Sequence, residues 1–249
     1  MKVVVLIAGV HDPKWPIAIS GDRLPEADAE RQIMSPFDEA ALEIALRIRD
    51  ANPETSIHAF VAGGAAGAKI ARTAAAFNLA QISTVRIDRP WNQSAVATAL
   101  AQLCGDADII LIGREYGDFD DGLVPPTLAA QLRIEFFARA QLVEAKDGVR
   151  LMRENGGFEE WRALQDRLLV SATNDRRTRL RKPLMKNVML ARQASIANLE
   201  VSPPVTDILS LVGASVRSAS RAHTSCAWID GTSEEQALAL AALLREARV

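Results

Sequence analysis

Short apolar runs alternate with amphipathic stretches over the first half of the chain, the pattern of a parallel sheet wrapped by helices. Residues 3–7, Val-Val-Val-Leu-Ile, are a β-branched run that reads as a strand buried on both faces. Residues 35–39, Ser-Pro-Phe-Asp-Glu, open a helix that continues over 40–50: Ser35 is the N-cap, Pro36 takes the first helical position, and Asp38 and Glu39 put acids in the first turn. A second apolar run, 56–61, ends in Ala62-Gly63-Gly64-Ala65, and an alanine-rich helix follows over 66–77. A third strand is expected at 84–87, a third helix at 94–103 and a fourth strand at 109–112. After it come a long polar loop, 113–121, and a helix entered through Val124-Pro125-Pro126. Strand, turn and helix repeated in this order predict an α/β, doubly wound, mostly parallel sheet.

From residue 138 the period changes. Residues 138–145 and 149–153 alternate around Lys146-Asp147-Gly148, a hairpin signal, and 158–164 alternates again after Gly156-Gly157. With 168–172 these are expected to be antiparallel strands added to the sheet edge. Residues 174–225 are basic and irregular, and Thr232-Ser233-Glu234-Glu235 caps a last helix, 236–248. A core domain at 1–173 and a C-terminal arm with its helix at 174–249, wrapping a partner, is the expected division.

Length and charge narrow the classes. A chain of 249 residues can bury a full core, and a net charge of -2 with well-mixed signs does not recommend nucleic acid as a partner. Cys104 and Cys226 lie far apart, as reduced buried thiols of a cytoplasmic protein would. No apolar run is long enough to cross a membrane, and the opening strand lacks the features of a signal peptide. His11, His58 and His223 form no triad or metal spacing.

In an open parallel sheet the ligand sits beyond the carboxyl ends of the strands, so Gly113 and the acidic loop after it mark a crevice. Helix starts present free N–H groups and a positive dipole end, so those at Pro36 and Val124 can face an anion. Asp118 and Asp120 can accept from ribose hydroxyls or from loop amides, or simply be solvated. The Ser35 start can equally be a helix cap and nothing more. Ala62-Gly63-Gly64 reads as a packing turn, because the lysine and hydroxyl residue of a P-loop do not follow. The basic run 176–186 suits either an exposed face or docking on an acidic partner.

Val10-His11-Asp12-Pro13, Met34-Ser35-Pro36-Phe37-Asp38-Glu39, Gly113-Arg114 with Asp118, Asp120 and Val124-Pro125, Val149-Arg150, Asn155-Gly156-Gly157 and the stretch 177–185 carry a resemblance over nearly the whole chain. In order and spacing they resemble the beta subunit of electron transfer flavoproteins, the nitrogen-fixation type included. The resemblance implies a heterodimer with an alpha subunit that holds most of an FAD, an AMP buried in the beta crevice, and a surface for a flavin-dependent dehydrogenase. Electrons would pass to a quinone reductase or another acceptor, with no substrate turned over by this chain and no membrane insertion. Bifurcating members hold a second FAD in place of AMP.

Carried over from the family, the cofactor-binding positions are Leu6, Ser35, Pro36, Phe37 and Asp38, then Ala59 and Ala62, then Gly113, Arg114, Asp118, Asp120, Gly122 and Val124. Partner docking falls to Arg177, Arg181, Met185 and Lys186. The chain departs from the family where Leu123 replaces a glutamine and Pro125 a glycine, the latter removing an N–H donor. Ala8 and Gly9 stand where a basic and a polar residue are usual, and Val188, Met189 and Leu190 thin the lysine cluster to Lys186 and Arg192. The alternative from another class, a non-redox nucleotide-binding regulatory module, predicts a homodimer. An ATP-using hydrolase would need a glycine-rich loop after the first strand, which Ala8-Gly9-Val10 is not.

Overall fold

The computed structural model describes residues 1–16, 31–64, 66–87, 89–201 and 228–246, in two compact units, Met1–Gly213 and Ala214–Val249. In chain order the first unit contains β1 (Lys2–Ile7), β2 (Val10–His11), β3 (Gln32–Ile33), α1 (Pro36–Ala51), β4 (Ser56–Ala62), α2 (Ala68–Ala75), β5 (Gln81–Ile87) and α3 (Gln93–Cys104). It continues with β6 (Ile109–Gly113), α4 (Val124–Leu132), β7 (Glu135–Ala140), β8 (Leu142–Glu144), β9 (Arg150–Asn155), β10 (Phe158–Ala163), β11 (Leu168–Ala172), a 3-10 turn (Arg176–Thr178), α5 (Met185–Gln193) and β12 (Ala197–Val201).

Seven strands form the central sheet in the order β12-β5-β4-β1-β6-β11-β7. Every pairing in it is parallel. The chain leaves β1 toward β4 and β5, then returns to the other side of β1 with β6, so the order reverses between β1 and β6. Beyond the carboxyl ends of these two strands lies the switch-point crevice.

Alternate residues of β1 feed two cores. Val3, Val5 and Ile7 pack with α1 and α2 on one face; Val4, Leu6 and Ala8 pack with α3 and α4 on the other. The four residues Ile109–Ile112 are likewise completely buried, which is why the run has no polar member. Each such side chain contributes about 1.5–3 kcal/mol, set against the entropy of ordering it. Cys104 sits in the second core as a free thiol, and burial pushes its pKa up to about 12. Cys226 and His223 lie outside the described residues.

Two expectations about the later strands need correction. The antiparallel strands do exist, but β8, β9 and β10 make a separate three-stranded sheet and do not extend the edge of the main one. Residues 168–172 are no antiparallel edge either: β11 is a fully buried parallel strand between β6 and β7. Its five residues carry too little pattern to distinguish a parallel centre from an antiparallel edge, and the choice is made by pairing across more than 50 residues of chain.

Residues 174–201, expected to begin the arm, run back along the core. α5 packs on α2, and β12 pairs with β5 as the far edge of the sheet. The second unit contains α6 (Ser233–Glu246), whose start is closed by Thr232 and Glu235: the Thr232 N–H donates to Glu235 Oε2 at 2.8 Å, and the Glu235 N–H to Thr232 Oγ1 at 3.4 Å.

Candidate functional site

Three chain segments converge on the switch point. The first is the start of α1. Ser35 Oγ accepts from the Asp38 N–H at 3.0 Å and Asp38 Oδ2 accepts from the Ser35 N–H at 3.3 Å, a reciprocal capping box. The same Oδ2 accepts from the Gly9 N–H at 3.2 Å, tying the helix start to the end of β1. Asp38 is wholly buried, and among the described residues its Oδ1 has no hydrogen-bond partner. Burial raises its pKa from 3.8 to about 6, against the lowering effect of its bonds from Ser35 and Gly9.

Gly113 explains the tight approach of β6 to this helix. A Cβ there would lie 2.9 Å from the Glu115 carbonyl oxygen, 3.1 Å from Phe37 Cβ and 3.3 Å from Asp38 Oδ1. Gly9 has a positive φ of 73° and no space for a side chain beside Ile70. Both glycines are imposed by packing of the protein on itself.

The third segment is loop 114–123, tied down along its length. The Arg114 N–H donates to Ala172 O at 2.8 Å, and the Arg114 guanidinium stacks over Phe37 at 4.9 Å while pairing with Glu115. Both carboxylate oxygens of Asp118 accept from the His11 N–H, at 3.0 and 3.2 Å. Gln93 Nε2 donates to Phe119 O and Asp121 Oδ1 at 3.0 and 2.9 Å.

Asp120 is the centre of the loop. Its Oδ2 accepts from the Tyr116 N–H at 2.7 Å, and its Oδ1 from Gly122, Leu123 and Val124 at 2.9, 2.9 and 3.1 Å. The carboxylate therefore caps α4 from within the loop. Pro125 and Pro126 have no N–H, and the Thr127 N–H is already in the helix, on Leu123 O at 3.1 Å. The start of α4 has no spare donor for a phosphate from Gly122 to Thr127.

Tyr116, the chain's one tyrosine, lies in the crevice itself. It is buried beside Leu6, Ala8 and Val124, with its hydroxyl 3.5 Å from the Ile7 carbonyl. Burial and the neighbouring charge of Asp38 push its pKa far above the usual range, so the phenol stays neutral. What remains open is a cavity of about 240 Å³ displaced toward β4 and β5. Ala8, Ala62, Ile87 and Tyr116 are in its wall, with Arg86 and Asp118 as its charged members among the described residues. That is below the roughly 300–1,000 Å³ usual for a small-molecule site.

The structure thus brings Ser35, Pro36, Phe37, Asp38, Gly113, Arg114, Asp118, Asp120, Gly122 and Val124 together around one end of β1 and β6. Leu6 and Ala59 are fully buried strand residues, and Ala62 lines the small cavity. Of the three readings of Asp120, bonding to loop amides is the one the structure adopts. Tyr116 was missed, because an aromatic in a polar loop gives no signal of where it folds.

The docking residues divide. Arg177 makes a two-bond clamp on Asp175, both at 2.9 Å, and reaches Glu154 at 2.9 Å. Arg181 clamps the buried Glu43 with Nε and Nη2 at 3.0 Å each and also pairs with Asp50. Burial pushes the Glu43 pKa up, but the bonds from Arg181 and Arg47 outweigh it and hold the carboxyl below its ordinary value. These arginines fasten residues 175–181 to the core. Met185 and Lys186 instead lie on the open side of α5, where Leu184 (69% exposed), Met185 (74%), Met189 (62%) and Leu190 (62%) make an apolar face opposite the inward Asn187 and Ala191.

Residues 26–204 match the family model described as "Electron transfer flavoprotein domain". The chain belongs to the electron transfer flavoprotein family. It is similar to electron transfer flavoprotein beta subunits: 27% identical over 213 residues to that of Bradyrhizobium diazoefficiens, with 84% of this chain and 85% of the relative covered. With the mitochondrial beta subunit of Oryza sativa subsp. indica it shares 29% over 217 residues, 84% of each chain. With that of Megasphaera elsdenii it shares 28% over 188 residues, 70% and 69% of the two chains. A flavoprotein of electron transport is therefore its class, and the low identities mark a divergent beta subunit.

Among the described residues no helix is long and apolar enough to cross a membrane, and no cluster of His, Cys, Asp and Glu has the geometry of a metal site. The fit of the implied cofactors follows from the geometry. For AMP it is poor: the phosphate end meets a helix start whose donors are used and a loop that carries four carboxylates, Glu115, Asp118, Asp120 and Asp121, and one arginine, Arg114. A second groove, of about 450 Å³, lies between Pro36 and Glu39 of α1 and residues 174–179.

Proposed function

We propose that this chain is the beta half of a heterodimeric electron carrier. It pairs with an electron transfer flavoprotein alpha subunit that holds most of the FAD, receives electrons from a flavin-dependent dehydrogenase, and passes them to a quinone reductase or other acceptor. The flavin supplies the redox chemistry when bound; the residues described here shape, seal and dock. No side chain of this chain moves a proton or attacks a substrate in this scheme, so it turns over nothing by itself.

The observation that carries the reading, beyond family membership, is the open apolar face of α5. Leu184, Met185, Met189 and Leu190 leave a helix face in water although the same helix packs on α2 and buries Asn187 and Ala191. Such a patch marks a partner surface, and methionines suit one that meets more than one partner. Lys186 beside it favours an acidic rim on the other protein. A second FAD in this chain, as in bifurcation, has no support in a cavity of about 240 Å³.

The test is co-expression with an electron transfer flavoprotein alpha subunit from the same genome. A purified complex with FAD that a flavin dehydrogenase reduces, and that loses its reduction rate but not its FAD in Leu184→Glu, supports the proposal. A stable homodimer without flavin or alpha subunit would replace it by the regulatory-module reading.

A further inference from the structure

We infer that this chain fills with its own side chains the crevice in which the family resemblance would place an AMP, so that its beta site takes no nucleotide. Two independent substitutions for a ligand are visible. Tyr116 lies over the end of β1, in the apolar cluster with Leu6 and Ala8, its hydroxyl toward the Ile7 carbonyl. Asp120 occupies the other end, taking the amides of Gly122, Leu123 and Val124 that a phosphate at this helix start would need.

Both replacements follow a chemical logic. An aromatic ring is the natural apolar filler for a gap above a parallel sheet, and its hydroxyl lies 3.5 Å from the Ile7 carbonyl at the end of β1. A carboxylate held by three amides at a helix start does for the dipole what a phosphate does, without leaving the chain. Pro125 and Pro126 complete the arrangement, since a capped start loses nothing by having two positions without N–H. Adding a phosphate would put a second anion against Asp120 in a partly buried place, with Glu115, Asp118 and Asp121 near by. Arg86, the cation in the wall of the residual cavity, is already engaged.

The arrangement makes the nucleotide dispensable: in a subunit that uses AMP as a structural plug, the plug is separable, whereas here it is built in. The inference rests on the electron-carrier reading only for the FAD that serves as an internal count. The test is made on the intact heterodimer: denature, separate the released nucleotides, and compare AMP with FAD; in parallel, dialyse the full-length chain, purified in its complex or alone, against radiolabelled AMP. Less than one-tenth AMP per FAD and no saturable AMP uptake are expected. AMP near one per FAD, a second FAD, or saturable uptake of AMP would overturn the inference. If no FAD is found, the carrier reading fails while the dialysis still reports on the crevice.

Tyr116→Phe and Tyr116→Ala give a second reading. If the ring is the plug, Phe keeps the melting temperature within about 2–4 °C, whereas Ala lowers it by roughly 6–12 °C, with no AMP effect on either. Recovery of the Ala variant's melting temperature by AMP to the same extent as in unmodified protein would show an open nucleotide site and defeat the inference.

Discussion

Loop 114–123 is polar in sequence and closed in space, whereas α5 carries large apolar residues and leaves them open. In the loop every charged group has an internal partner: Asp118 holds His11, Asp120 holds four amides, Asp121 holds Gln93, and Arg114 lies on Phe37 against Glu115. On α5 the polar Asn187 is buried while Leu184, Met185, Met189 and Leu190 face outward. Polarity therefore does not tell which surface awaits a second molecule. Satisfaction does: a group whose bonds are complete within the chain has little to offer a ligand, and an apolar face without cover has everything to gain from one.

The largest break in this contrast is expected from Asp120→Ala. It leaves four loop and helix-start amides without their acceptor and is expected to cost about 4 kcal/mol, read from urea unfolding of the complex or the chain. Asp120→Asn, which keeps an acceptor oxygen but loses the charge, is expected to cost less than half of that. Equal stability of wild type and Ala variant would mean that the loop is not held from within.

Asp38 sharpens the same point through pH. Its carboxyl titrates near 6 when folded and near 3.8 in the ordinary state, so between those values the folded chain binds more protons than the unfolded one. Its contribution is most favourable at or below pH 4 and declines as pH rises toward 6 and beyond, by roughly 3 kcal/mol. In Asp38→Asn that decline is absent. Parallel stability curves for the two proteins from pH 4 to 7 would refute the assignment.

Arg181→Ala is expected to cost about 2 kcal/mol, because the buried Glu43 keeps only Arg47; the part-exposed position of Arg181 makes this smaller than for a fully buried pair. Its pH signature is opposite to that of Asp38. The Glu43 pKa is lowered on folding, so its stabilisation is present at neutral pH and is lost as pH falls through the folded-state pKa. Reduced acid sensitivity in Arg181→Ala, relative to wild type, is the expected result of an acid titration followed by circular dichroism.

The smallest effect on folding belongs to the open side. Leu184→Glu with Met189→Glu is expected to change stability by less than about 0.5 kcal/mol, since both side chains are exposed. Affinity for the dehydrogenase partner is expected to fall about tenfold, near 1.4 kcal/mol, because an apolar contact is replaced by two charges. Unchanged binding in surface plasmon resonance would remove α5 from the docking surface.

The chain's local patterns determined a good deal unaided. The buried runs at 3–7, 56–61 and 109–112, the Ser35 cap with Pro36 and the helix at 124 all have short-range causes: β-branched residues on a two-sided buried strand, a side-chain acceptor for free amides, and proline where no N–H is needed. The placement of the crevice after Gly113 followed from the alternation of strands and helices alone. Tertiary structure decided the rest. It made 168–172 a central parallel strand, gave β8, β9 and β10 a sheet of their own, and brought 197–201 back to the far edge. Above all it chose the partners of Asp38, Tyr116, Asp120 and Arg181, each set by groups distant in the chain or by a loop whose path is not a local property. A side chain's type limits what it can bond; only the fold decides whether that capacity is already spent.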